Sequence, residues 1–288
     1  MTTKGKRSRH MEEIFFRLLM MLSTVLVVGV LVLILGMVAV KGVSYLSLEM
    51  LTQSPKGGFY LGKGGGILNA IVGSLCVGLG ATALALVVSL PVVIYVNVFS
   101  DRTSLIARCT RFTMDLMWGV PSIVYGAFGF ILMLFFGMRA SLGAAIITVA
   151  LLELPVMIRA MDEVMRMVPA EIKEASYCLG ATRLETAFKV VLRQAAPGLI
   201  TAVLIAFGRG IGDTAAVLFT AGFTDRIPTS LADPAATLPL AIFFQLGTPY
   251  PEVQGRAYAA AAVLTLIIMT VSIASRLVSK FYSRNIVR

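Results

Sequence analysis

Charge is scarce in this chain: Asp, Glu, Lys and Arg make up 14% of its 288 residues, where a soluble domain carries about 25%. With 58% hydrophobic residues and a mean hydropathy of +0.88, that scarcity excludes an ordinary soluble enzyme and leaves a membrane protein. Histidine is nearly absent. The single His10 sits in a basic tail with no ligand partners, so no metal centre is expected. Three cysteines are too few for a disulfide framework: Cys76 falls in an apolar run, and Cys109 and Cys178 in loops read as cytoplasmic, so all three are expected as free thiols. A cluster of nucleophile, base and acid is also missing, and no catalytic residue is expected.

Long uncharged runs are what the sequence does have. Leu18 to Val40, Gly64 to Ser100 and Leu116 to Met138 are each long enough to cross a bilayer as a helix. Ala140 to Leu152 continues past Glu153 to Ile158, Pro197 to Phe223 is broken only by Arg209 and Asp213, and Ala257 to Ser275 is clean. These six spans predict an all-α, polytopic membrane protein with a tail at 1–17 and one transmembrane domain at 18–288. The first run, at 23 residues, exceeds the roughly 7 to 15 of a signal-peptide core, and is expected to stay as an anchor.

Basic residues set the expected orientation, because loops rich in Lys and Arg stay in the cytoplasm. With the N-terminus inside, eighteen Lys and Arg fall in cytoplasmic segments and six outside. Both termini are therefore expected in the cytoplasm. The net charge of +10 is then a matter of topology, and no nucleic-acid partner is expected. GGFYLGKGG, residues 57–65, matches P-loop spacing up to Lys63 but has Gly64 where Ser or Thr binds magnesium. No strand precedes it and it is expected outside, so a flexible loop is the simpler reading.

The longest cytoplasmic loop, about 159–196, reads from Pro169 as PAEIKEASYCLGATRLETAFKVVLRQAAPG. Pro169 suits a helix start, with Ile172, Ala175 and Leu179 on one face. Gly180 suits a left-handed helix end. Thr182 and Glu185 have capping-box spacing for a second helix, whose Leu184, Ala187, Phe188, Val191 and Ala195 form one stripe. This helical hairpin suits a DNA-binding helix-turn-helix, a membrane-surface helix, or a docking element in which small Ala175 and Ser176 admit a partner's groove.

The hairpin resembles the EAA motif of ABC importer permeases, E-A-A-x3-G-x9-I-x-L-P. Glu174, Ala175, Gly180 and Leu192 match, Ser176 and Val190 stand for Ala and Ile, and Arg193 replaces the Pro. GVPSIVYGAFG, residues 119–129, and GRGIGDTA, beginning at Gly208, are similar to the PstA-type permeases of phosphate import systems. There the family usually has Glu at the position of Asp213 and often Pro at Ala216. By its residues alone the first stretch is also a Pro-started packing helix.

The resemblance implies a type I ABC importer permease of MetI-like architecture in the bacterial inner membrane. It implies an importer of phosphate, with molybdate or tungstate as alternative oxyanions. It further implies a second, homologous permease, two ATPase subunits that bind ATP and Mg, and an external substrate-binding protein, with no cofactor on this chain. The residues it implies for coupling to the ATPase are Glu174, Ala175, Ser176 and Gly180. An ATP-independent channel or secondary transporter is the alternative from another class.

Arg209 and Asp213, four apart in an apolar span, are expected to share a helical face and neutralise each other. The pair is either a packing salt bridge or a pathway site, where a planar guanidinium suits a tetrahedral oxyanion. Arg159 is a second candidate contact; with Asp162 and Glu163 at i+3 and i+4 it is equally a capped helix end.

Overall fold

The computed structural model describes residues 3–56, 64–101 and 104–282. Most of the P-loop-like stretch, at 57–63, lies outside the described residues, as do 283–288. Every described regular element is helical: α1 (Thr3–Val43), α2 (Leu48–Thr52), α3 (Leu68–Ile94), α4 (Leu105–Trp118), α5 (Ser122–Phe135), α6 (Leu142–Arg166), α7 (Ala170–Cys178), α8 (Arg183–Glu185), α9 (Leu192–Ile211), α10 (Leu238–Leu246) and α11 (Pro251–Tyr282). A π-helical turn, Tyr95–Phe99, ends α3, and another, Thr186–Val191, joins α8 to α9. Among the described residues, five helical stretches are long and apolar enough to cross a membrane, and α4 with α5 makes a sixth if counted as one bent span.

α3, α6 and α9 form the centre. The buried side of α3 carries Gly73, Ser74, Val77, Gly78, Ala81, Thr82, Ala85 and Ser89. Such small residues let neighbouring backbones approach, the packing mode available where lipid is as apolar as the protein core. At Gly73 a Cβ would run into the Ala236 carbonyl, so the segment that precedes α10 can lie on α3 only at a glycine. α1 departs from this pattern. Nearly all its described side chains are exposed, and it docks on α11 near its end, where Gly42 meets Tyr258 and Lys41 lies 4.9 Å from the Tyr258 ring.

Two predicted spans are corrected. The run Leu116 to Met138 is no straight helix: α4 and α5 meet at 101° around Gly119 to Pro121, because a residue before proline avoids the helical region and proline offers no N–H to continue the ladder. α5 alone has 14 residues, or about 21 Å at 1.5 Å per residue.

The run Pro197 to Phe223 likewise stops being regular helix at Ile211. Residues 213–221 turn back on themselves, with Ala216, Val217, Thr220 and Ala221 buried. Irregular backbone within a membrane span is tolerated where it is buried in protein or lines a watery cavity, and this segment and its flank are tied to the bundle by hydrogen bonds. Ser141 N–H donates to the Thr220 carbonyl (2.8 Å), Ala235 N–H to Ala221 (2.8 Å), and Asn69 Nδ2 to Thr224 (2.6 Å).

Candidate functional site

The hairpin follows its local signals. Pro169 stands at the N-cap of α7, Gly180 has φ +80, and the Thr182–Glu185 capping box is formed in both directions. Its ends are continuations of α6 and α9, so the free hairpin is shorter than 159–196. α7 is regular helix, and Ala175 and Leu179 on its expected face are exposed, Leu179 by 88%. Ser176 is buried, its hydroxyl 2.9 Å from that of Thr186, so its small size seats α7 on the π-turn. The π-turn also splits the second stripe, burying Ala187, Val191 and Ala195 while Leu184 and Phe188 stay exposed. One extra residue per turn rotates the faces that a regular helix would keep aligned. Glu174, Ala175, Leu179, Leu184 and Phe188 are left on the outside.

Arg209 lies in the last turn of α9 and is exposed. It does not pair with Asp213. The helix ends between them, and the Asp213 carboxylate accepts from the Ala216 N–H at 2.8 Å, capping the next turn. An i, i+4 ion pair needs a helix that persists over both positions. Among the described residues Arg209 makes no ion pair; the Tyr125 hydroxyl of α5 is committed to the Met117 carbonyl at 2.8 Å. Behind Arg209, Gly210 packs on the carboxyl of Glu153, which is fully buried and makes no hydrogen bond of ordinary length among the described residues. Glu153 was visible in the sequence as an acid inside a span, a recognised pointer to function, yet its meeting with Gly210 is a tertiary fact.

Arg159 is on α6, six residues past Glu153, about 9 Å further along the axis. The two arginines therefore stand at different depths. Arg159 is not capped by Asp162 or Glu163: its partner is Asp115 of α4, and its guanidinium lies 5.8 Å from the Trp118 ring. Asp162 belongs to a separate network, accepting from Arg111 Nε (2.9 Å) and Nη2 (3.1 Å), Arg166 Nε (3.1 Å) and Asn97 Nδ2 (2.7 Å). Arg111, Asp115, Arg159, Asp162, Glu163 and Arg166 line a cavity of about 100 Å³ between α3, α4 and α6. Asp115, Arg111 and Asn97 carried no signal in sequence, since their partners are 44 to 65 positions away.

A multi-pass helical bundle in which α9 ends on an exposed arginine with no ion pair among the described residues, and begins at a helical hairpin, suits a transport component. Residues 100–287 match the family described as binding-protein-dependent transport system inner membrane component, and the chain belongs to that family. It is thus a multi-pass permease subunit of the inner membrane, not an ATPase.

Among similar proteins, the phosphate transport system permease protein PstA of Yersinia pestis is 32% identical over 239 residues, 83% of this chain and 80% of that protein. PstA 1 of Mycobacterium tuberculosis is 34% identical over 216 residues, 74% of this chain and 70% of that one. In fold, the chain is similar to the inward-facing MetNI methionine ABC transporter, with a TM-score of 0.61 at 19% identity over 75% of this chain and 95% of the other.

Proposed function

We propose that this chain is the permease subunit of an ATP-driven importer of inorganic phosphate, and that Arg209 contacts the anion. The observation that carries the reading is the exposed guanidinium at the end of α9, which has no ion pair among the described residues. A bare cation in the apolar layer is costly, about 2.5 to 3.5 kcal/mol on insertion scales, so its exposed face is turned to a second permease and to a watery path between them. Its planar donors suit two oxygens of a tetrahedral anion. Arg159, moderated by Asp115, is the next cation on the way in. Conduction needs binding weak enough for release, and a paired arginine below an unpaired one supplies that. The phosphate assignment draws support from the two PstA relatives.

The complex comprises a homologous but different permease, two ATPase subunits that bind ATP and Mg, and an external binding protein. Glu174, Ala175 and Leu179 face the ATPase, while Ser176 and Gly180 shape the turn that presents them. Both termini are cytoplasmic. Cysteines placed at Lys56 and Asp233, in a background without the three native thiols, are expected to react with impermeant reagents in intact cells, and one at Glu174 only after permeabilisation. The function is tested by radiolabelled uptake in membranes carrying the whole complex. Saturable phosphate uptake that needs ATP supports it; uptake of molybdate but not phosphate, or uptake without ATP, overturns it.

A further inference from the structure

The π-turn Tyr95–Phe99 has a use that the pathway does not account for. Its last carbonyls lie at a helix end, where backbone oxygens lack intrahelical donors and cations are favoured. Two are taken by the hairpin region: Lys173 Nζ of α7 donates to the Asn97 carbonyl at 3.2 Å, and Arg183 Nη1 of α8 donates to the Phe99 carbonyl at 3.2 Å. From the same turn the Asn97 side chain donates to Asp162 at 2.7 Å. Asp162 in turn holds Arg111 of α4 and Arg166 of α6. Along the two helices, Arg111 stands four residues before Asp115, and Asp162 three residues after Arg159.

We infer that Asn97 is a positioning residue that couples the docking hairpin to the arginine cluster: its backbone is held by Lys173, and its side chain sets Asp162 and, through Arg111, the position of α4. This rests on the transport reading above. Displacement of α7 by a moving ATPase then pulls on the π-turn and shifts α4 against α6, opening or closing the Arg159–Asp115 pair. Asn97 is half-buried and its side chain donates to Asp162 and to the Val93 carbonyl, so it acts through Asp162 and not on the anion itself. Such π-turns are rare inside helices and gather at functional sites.

The test uses the complete complex in proteoliposomes and reads phosphate taken up per ATP hydrolysed. Asn97→Ala is expected to co-purify with the ATPase and to keep hydrolysis stimulated by the binding protein, while uptake per ATP falls about tenfold. Lys173→Met, a change on the hairpin that leaves the core packing alone, should give the same loss, and the double variant should be no worse than either single one. A double variant whose loss is the product of the two would show separate actions and overturn the relay. So would an unchanged ratio in Lys173→Met, even if Asn97→Ala failed to assemble. Should the wild-type complex import another oxyanion, the phosphate reading falls, and the same ratio measured with that anion still decides the relay.

Discussion

The C-terminal end of α9 and the cluster between α4 and α6 handle charge in opposite ways. Arg209 stands exposed without an ion pair among the described residues, with the nearby Asp213 committed to a backbone N–H. Arg111, Arg159 and Arg166 each have a carboxylate, and Asp162 alone serves two arginines and Asn97. A guanidinium outside any ion pair can turn its donors to an incoming anion; a paired one holds helices in place until something displaces its partner. On the proposed reading, one place binds and the other changes shape.

The comparison breaks most sharply at Arg209. Arg209→Gln is expected to abolish uptake while leaving co-purification and ATP hydrolysis intact, since no carboxylate is orphaned. Adding Asp213→Asn should not restore transport; recovery by the double variant would mean that the two residues pair after all. Next in size is Gly180→Leu. At φ +80 a leucine costs about 1 to 2 kcal/mol and tilts α7, so pull-down of the ATPase from membranes should weaken and uptake should fall with it. Gly210→Ala drives a methyl into the Glu153 carboxyl and should cost about 1 to 3 kcal/mol, read as a lower melting temperature in detergent; Glu153→Ala in the same chain should recover part of it. The smallest effect is that of Asp213→Asn alone. It weakens a cap, at about 1 kcal/mol or less, and uptake should stay near wild type.

Much of the hairpin was legible in the sequence because its signals act over a few residues. Pro169, Gly180 and the Thr182–Glu185 box each satisfy or terminate neighbouring backbone groups. The face of the hairpin's second helix was not legible. A stripe is drawn with a period of 3.6, and the π-turn at Thr186–Val191 changes that period without any mark in composition. Arg209 and Asp213 failed as a pair for a similar reason: spacing by four has meaning only inside a continuous helix, and the break at Gly212 falls between them.

From the sequence by itself follow the solvent of the chain, its helical class, the number of apolar segments and the turn chemistry of the hairpin, because hydropathy and capping depend on near neighbours in the chain. The tertiary structure decided where α9 stops, which side of α7 is free, and which carboxylate meets which arginine. Arg159 found Asp115, 44 positions away, in preference to Asp162 at i+3, because electrostatic pairing depends on distance in space, and folding alone sets that distance.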